Sequence, residues 1–214
     1  MNNYDAALIL FTNSFLYKDY AKHPFRQGMN NYATDGKSII RVATHLCKEE
    51  YEELDKPNAE YVMNKQKNRD KLFLYEGLRQ TLDLVPKVNF ESCDACGGEG
   101  KVEFEFEYDG HTYYHSNTCP ICNGTGKVEL STEKRDFRYG IKFEKYAYPI
   151  AQDQLILLMK IMKEVDVSTA RLVYAEPSIY KFELNKDVEV MFCGYFPGQK
   201  LEDYFVYCKG EEQL

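Results

Sequence analysis

An eight-residue pattern, Cys-x-x-Cys-x-Gly-x-Gly, occurs twice in this chain, at residues 93–100 and 119–126, with 22 residues between Cys96 and Cys119. Two such pairs can place four thiolates around one tetrahedral Zn²⁺ at Zn–S distances of about 2.3 Å. Glycine adopts positive φ without steric cost, so each pair can sit on a tight turn whose N–H groups face the sulfurs. We therefore predict one structural zinc ion. Its four ligands are Cys93, Cys96, Cys119 and Cys122.

Two disulfides, or redox-active Cys-x-x-Cys pairs, are the alternative explanations of the same cysteines. The chain begins without the basic start and apolar run of a secretory leader, so we expect a cytoplasmic protein, in a compartment where paired cysteines more often hold metal. A redox pair would precede a helix, whereas strand-like stretches follow these pairs. His111 and His115 lie between the pairs and could replace a sulfur, although four well-spaced cysteines are already present.

The repeated pattern resembles the cysteine-rich region of the DnaJ chaperone family, which typically has four repeats and two zinc sites. The resemblance covers residues 93–126, where two repeats suffice for one site. The His-Pro-Asp tripeptide with which that family's J-domain engages its partner ATPase does not occur; His23-Pro24 is followed by Phe25. The resemblance therefore implies a zinc finger that holds hairpins together, without co-chaperone activity of the DnaJ type.

The stretch between the two cysteine pairs predicts an acidic β-hairpin. Apolar and acidic residues alternate over 101–108, and Asp109-Gly110 is a strong turn signal. Residues 93–130 contain seven acidic and two basic side chains, so this finger would repel a phosphate backbone. A protein partner suits it better, with five aromatic residues as contact candidates, unless these only pack the hairpin. The candidates are Phe104, Phe106, Tyr108, Tyr113 and Tyr114.

The sequence around the finger predicts an α+β body. We expect a helix over 154–164 and strands over 37–43 and 139–146, followed by three short strands up to residue 195. The order after the finger is then β-α-β-β-β. A helix is predicted over 4–18, a helix-prone stretch over 48–56 and an edge strand over 204–208. No apolar run approaches 18 residues, so no membrane span is expected.

The piece Ala33-Thr-Asp-Gly-Lys-Ser-Ile-Ile-Arg-Val42 resembles a hairpin common in domains of bacterial DNA sliding clamps. Residues 139–195 are similar to the second half of such a domain. The resemblance implies a single clamp-like domain with β-α-β-β-β halves and antiparallel sheets, interrupted by the zinc-stabilised hairpin module. We expect residues 1–92 and 131–214 to form the two halves of this body, and residues 93–130 to form the insertion.

No motif for catalysis is present: the chain lacks a phosphate-binding glycine loop, a Gly-x-Ser-x-Gly elbow and a His-Glu-x-x-His pair. We therefore expect a non-enzymatic interaction or scaffold protein, linked to DNA replication or a mobile element. The alternative is a chaperone-like protein that grips unfolded chains with its finger. Weak DNA contact would come from basic residues, unless these are ordinary solvated faces. The basic candidates are Lys65, Lys67, Arg69, Lys71, Lys134, Arg135 and Arg138.

Overall fold

The structure is a computed structural model that describes residues 3–13, 18–136, 138–194 and 204–208. The chain divides into two compact units: residues 1–84 with 138–214 form the first, and residues 85–137 form the second. The helices are α1 (Tyr4–Ile9), α2 (Ala59–Met63), α3 (Tyr75–Asp83) and α4 (Gln152–Glu164). The strands are β1 (Phe25–Gln27), β2 (Asn30–Thr34), β3 (Ser38–Ala43), β4 (Lys71–Leu74), β5 (Lys87–Ser92), β6 (Lys101–Tyr108), β7 (His111–Thr118), β8 (Lys127–Arg135), β9 (Gly140–Lys142), β10 (Thr169–Glu176), β11 (Ile179–Asn185), β12 (Val188–Cys193) and β13 (Phe205–Tyr207).

The first unit is built on one antiparallel sheet of seven strands in the order β1-β2-β3-β12-β11-β10-β4. Three strands from after residues 85–137 lie between strands from before them, because β3 pairs with β12 and β4 pairs with β10. β9 and β13 form a separate parallel pair. The two flanks of the second unit therefore share a sheet. The division of the chain at residues 93 and 130 stays a prediction.

Both faces of the central strands are largely buried, so their apolar residues are not confined to alternate positions. On one face, Phe182 of β11 packs edge-to-face with Phe143 and Phe192 at ring separations of 4.9 and 6.1 Å. On the other face, Met191 packs with Met63 of α2 and with further apolar side chains. Because alternate residues of a strand point to opposite faces, a strand buried on both sides has few positions left for polar residues.

Local sequence signals explain several of these elements. Thr34 and Asp35 build the β2–β3 turn: the Asp35 carboxylate accepts the N–H groups of Lys37 and Ser38 at 2.8 and 2.6 Å. At the start of α4, the N–H of Ala151 donates to the side chain of Gln154 at 3.0 Å. The predicted helix over 154–164 and the strands near 38–43, 170–175 and 179–184 are confirmed.

Three sequence predictions differ from the structure. α1 ends at Ile9 instead of extending to residue 18, and residues 14–17 lie outside the described residues. The stretch 48–56 is not helical, because the carboxylate of Asp5 binds the N–H of Lys48 and the hydroxyl of Tyr51 and fixes an irregular path. The strand predicted over 139–146 is confined to β9. The edge strand predicted over 204–208 is found as β13.

A buried cluster of charges lies on the α2 side of the sheet. The carboxylate of Glu189 forms ion pairs with Arg41 on β3 and with the Nζ of Lys181 on β11, the latter at 2.9 Å. Lys181 also donates to the carbonyl of Met63 at 2.8 Å. The side chains of Lys181 and Glu189 are only 4% and 9% exposed, so each charge depends on the others for compensation.

The second unit contains two antiparallel strand pairs, β5 with β8 and β6 with β7. β6 and β7 match residue for residue over eight pairs, and Asp109 and Gly110 at the turn have the positive φ values typical of tight hairpins. The structure thus confirms the α+β fold class and the predicted hairpin. No helix in the described part of the chain is long and apolar enough to cross a bilayer.

Candidate metal centre and the hairpin it supports

Four cysteine sulfurs converge at the base of the β6–β7 hairpin. The sulfurs of Cys93, Cys96, Cys119 and Cys122 all lie within 4.8 Å of one another. The Sγ atoms of Cys93 and Cys119 are 3.8 Å apart, and those of Cys96 and Cys122 are 3.7 Å apart. Cys93 and Cys119 are fully buried. This arrangement could hold a metal ion. Among the described residues, it is also the only group of three or more His, Cys, Asp or Glu side chains close enough together to hold a metal ion.

Each pair of cysteines lies on a turn that repeats the same geometry; we call residues 93–100 the first knuckle and residues 119–126 the second knuckle. In the first knuckle, the N–H of Gly100 donates to the sulfur of Cys96 at 3.2 Å. In the second, the N–H of Gly126 donates to the sulfur of Cys122 at 3.3 Å. Such bonds favour the thiolate form of the sulfur and orient it as a ligand.

The two knuckles are also joined to each other by a reciprocal pair of backbone hydrogen bonds. The N–H of Cys93 donates to the carbonyl of Gly126 at 3.0 Å, and the N–H of Cys119 donates to the carbonyl of Gly100 at 2.9 Å. The first residue of each repeat therefore binds the last residue of the other. This pairing explains why the whole eight-residue pattern, and not only its cysteines, occurs twice.

The glycines of the pattern lie where the two knuckles make close backbone contact. A Cβ atom on Gly126 would lie 2.1 Å from the carbonyl oxygen of Gly98, and one on Gly100 would lie 2.3 Å from that of Gly124. All four residues have positive φ. A side chain at these positions would therefore force the knuckles apart and strain the turn.

Replacing Gly126 with Ala is expected to lower the affinity for Zn²⁺ by at least about tenfold, since strain of about 1–3 kcal/mol from the positive φ adds to the collision with Gly98. The measurement is competition for Zn²⁺ with a chelating dye. Gly97→Asn is the matched control: Gly97 has open space around it, and Asn123 already occupies the equivalent position of the second knuckle at a φ of 50°. Equal affinities of the two variants would contradict the interlocked geometry.

The surroundings within the cluster shift the pKa values of two of its thiols in opposite directions. Burial, together with hydrogen bonds among the sulfurs, raises the pKa of Cys93 to about 12. Burial also opposes ionisation of Cys122, but the N–H of Gly126 and the neighbouring cysteine side chains lower its pKa to about 7. These contacts therefore favour the thiolate form of Cys122, which is the form that binds a metal ion.

The hairpin above the knuckles has two chemically different faces. Alternation along the paired strands places Phe104, Phe106 and Tyr108 of β6 on the same side as His111, Tyr113 and His115 of β7; we call this side the aromatic face. The opposite side, here called the acidic face, carries Glu103, Glu105 and Glu107. Phe106 and Tyr113 stack at a ring separation of 5.4 Å.

The aromatic side chains are exposed to an unusual degree for a β-hairpin. Phe104, Phe106, Tyr108 and Tyr113 retain 43–72% of their accessible surface. The fifth predicted contact residue, Tyr114, lies on the other side of the hairpin, opposite Glu105 on the acidic face. His111 and His115 lie on the aromatic face and are not members of the cysteine cluster. The role of these residues in protein binding stays a prediction.

The basic candidates are largely engaged with acidic side chains. Lys67 pairs with Glu183 at 2.5 Å, and Lys71 pairs with Glu144 at 2.8 Å. Arg69 lies 3.7 Å from Glu144. Lys65 lies over the ring of Tyr61, and Arg138 lies over the ring of Tyr204. Lys134 pairs with Glu91 at 3.3 Å, and Arg135 also interacts with another residue. Salt bridges reduce the free positive charge that phosphate contacts require. DNA binding through these stretches stays a prediction.

Sequence reasoning did not foresee the strand β5 or its role at the base of the second unit. β5 pairs with β8, and the Nζ of Lys127 lies 4.2 Å from the centre of the Phe90 ring. The available signal was the alternation of polar and apolar residues over 87–91, which read Lys-Val-Asn-Phe-Glu. The sequence also indicates that Tyr114 lies on the other face from Tyr113, because neighbouring residues of a strand point to opposite faces.

Known proteins are similar to this chain in fold. No protein-family model matches the sequence, and no curated protein matches it either. The Helicobacter pylori beta clamp in complex with Diflunisal aligns with a TM-score of 0.50 at 10% identity, over 90% of this chain and 63% of that chain. The same clamp bound to a DNA ligase peptide gives a TM-score of 0.49 at 10% identity, over 91% and 62%. The DNA polymerase III subunit beta from Pseudomonas aeruginosa gives 0.45 at 9%, over 87% and 62%.

This chain spans about three fifths of the length of these clamps. At identities near 10%, the likeness concerns the fold and carries no assignment of residues or activity. The sequence resemblance to clamp domains and the structural likeness agree on the fold of the body. The chain has a sliding-clamp-like α+β fold together with a cluster of four cysteines that could bind a metal ion.

Proposed function

We propose that this protein is a non-enzymatic binding or scaffold protein, in which a zinc finger of the DnaJ type presents a β-hairpin to a partner protein. The observation that carries the proposal is the aromatic face, where four large aromatic side chains are 43–72% exposed on one side of the hairpin. Monomeric proteins rarely expose contiguous apolar patches unless the patch binds something.

Zinc is the metal that the cluster fits best. Four sulfurs at about 2.3 Å from a common centre lie about 3.8 Å apart in a regular tetrahedron. Two of the six sulfur–sulfur separations, at 3.7 and 3.8 Å, match this value, and all of them lie within 4.8 Å. An all-thiolate donor set favours Zn²⁺ over Mg²⁺ or Ca²⁺, and it leaves no coordination position for a reacting water. The ion would therefore be structural, and Cys93, Cys96, Cys119 and Cys122 would be its ligands.

The hairpin depends on such an ion because it buries little of its own surface. Apart from the half-buried Val102, every side chain of β6 and β7 is exposed. Two-stranded hairpins are marginal in water without further support. The four bonds to a metal ion would supply that support at the base of the hairpin, where β6 begins and β7 ends.

The charge of the finger favours protein over nucleic acid as the partner. The acidic face and the thiolate cluster repel phosphates, while an uncharged aromatic face can bury against apolar protein surface. The clamp-like fold of the body is the reason for placing this role in DNA replication or in the maintenance of a mobile element, in the cytoplasm. Any direct DNA contact would be weak and would come from the basic residues of the body.

A chaperone-like function is the second candidate, and the same aromatic exposure favours it. A holdase would grip many unfolded chains through this face, whereas a docking module would select a defined partner. Suppression of the heat aggregation of citrate synthase by the purified protein would support the holdase. Its absence, together with stoichiometric capture of one partner, would support the docking module.

The proposal predicts that replacing Phe104, Phe106 and Tyr113 with Thr abolishes partner capture while zinc content stays unchanged, because Thr retains a preference for strands but removes the aromatic surface. Partners would be crosslinked in extracts of the native host and identified by mass spectrometry. The control is Thr112→Ser with Ser116→Thr on the acidic face. Equal capture by the aromatic variant and the native chain would refute a docking role for this face.

A further inference from the structure

The outer edge of β6 is unpaired within the described residues. β6 pairs only with β7, and these two strands form a sheet of their own. The eight pairs run without a bulge, and β6 contains no proline. A regular edge of this kind offers a row of N–H and C=O groups to another chain, which natural proteins usually prevent.

The side chains of β6 determine which kind of polypeptide could pair with this edge. Glu103, Glu105 and Glu107 project to the acidic face, and Phe104 and Phe106 project to the aromatic face between them. All five side chains are exposed, and no ion pair with a described residue involves the three carboxylates. A strand added beside β6 places its own alternate side chains next to these two rows.

The same pattern disfavours two other occupants. Antiparallel pairing of β6 with β6 of a second copy would bring the glutamates of both chains onto one face, where like charges destabilise the pair, or, with a register shift of one residue, would place them beside the aromatic side chains. Single-stranded nucleic acid could stack bases on the aromatic face, but its phosphates would meet the glutamates instead of the cations that such binding requires.

We propose that the β6 edge binds an extended segment of the partner protein in which basic and apolar residues alternate, so that the segment becomes a third strand of the hairpin sheet. Its basic side chains pair with Glu103, Glu105 and Glu107, and its apolar side chains cover the aromatic face beside Phe104 and Phe106. The inference rests on the proposed docking function and specifies the chemistry of the partner.

The test uses the full chain loaded with zinc and a fluorescein-labelled peptide of four Lys-Val repeats, which matches the eight residues of β6. Fluorescence anisotropy measures binding. We expect the alternating peptide to bind at least tenfold more tightly than a peptide of the same composition with its four lysines before its four valines. Methylation of the peptide's backbone nitrogens is expected to abolish binding, because it removes the donors to the β6 edge while keeping the charge.

Two charge-reversal variants of the protein test whether the carboxylates of β6 contribute to peptide binding. Glu105→Lys on β6 should weaken binding of the alternating peptide at least tenfold, whereas Glu133→Lys on β8 makes the same charge change in the same unit and should leave binding within about twofold. Equal binding of the two peptides, or equal effects of the two reversals, would overturn strand addition and indicate plain charge attraction. If partner capture still requires the aromatic face while the peptide fails to bind, the docking function stands and this inference falls.

Discussion

Cys122→Ser is expected to abolish tight zinc binding and to unfold residues 93–130, while the clamp-like body stays folded. One lost thiolate removes a quarter of the coordination shell and leaves the N–H of Gly126 without its sulfur acceptor. Apparent binding free energies of structural zinc are about 10–16 kcal/mol, which is also the energy that folds such small modules. The hairpin has almost no buried surface to replace that energy.

Zinc content by mass spectrometry and amide hydrogen exchange together measure this outcome. The amides of β6 and β7 should exchange at the rate of an unfolded chain in the variant, whereas those of β11 and β12 should stay protected. Cys193→Ser is the control, because Cys193 is exposed and lies outside the cluster. A variant that loses zinc and keeps a protected hairpin would contradict the stabilising role of the metal.

Glu189→Gln is expected to destabilise the body by about 3–5 kcal/mol, because it leaves the buried Lys181 and the partly exposed Arg41 without their shared counter-charge. Lys181 keeps its bond to the carbonyl of Met63, which places the expected value near the lower end of that range. Urea unfolding followed by circular dichroism gives the free energy of unfolding of the body.

Glu183→Gln is the matched control for this measurement. Glu183 lies opposite Glu189 on the neighbouring strand and pairs with Lys67, but the Lys67 side chain is 60% exposed. Exposed ion pairs contribute about 0–1 kcal/mol, so this variant should lose no more than that. Equal losses in the two variants would show that burial does not set the contribution of Glu189.

The geometry of the cysteine cluster was predictable from the sequence because each knuckle is formed locally. The spacing of two cysteines and two glycines fixes each knuckle, and Asp109-Gly110 fixes the hairpin turn, so neither depends on distant residues. The reciprocal bonds from Cys93 to Gly126 and from Cys119 to Gly100 follow from the repeat as well, but only once the two knuckles are seen to face each other.

The parts that sequence reasoning missed depend on contacts between distant residues. The charged stretch 48–56 favours a helix locally, but Asp5 binds its start from 43 residues away. Likewise, the basic stretch 65–71 reads as a free cationic surface until Glu144 and Glu183 are placed beside it. Local propensity cannot report such pairings, and tertiary contacts override it.

X-ray absorption at the zinc edge of the purified protein, combined with its metal content, decides whether the four cysteines hold one zinc ion. We expect one zinc per chain with four sulfur neighbours at about 2.3 Å and no nitrogen or oxygen ligand. A chain that contains no zinc when purified from zinc-supplemented cells, or a spectrum with two or three sulfurs and a histidine nitrogen, would contradict the assignment of Cys93, Cys96, Cys119 and Cys122 as its complete ligand set.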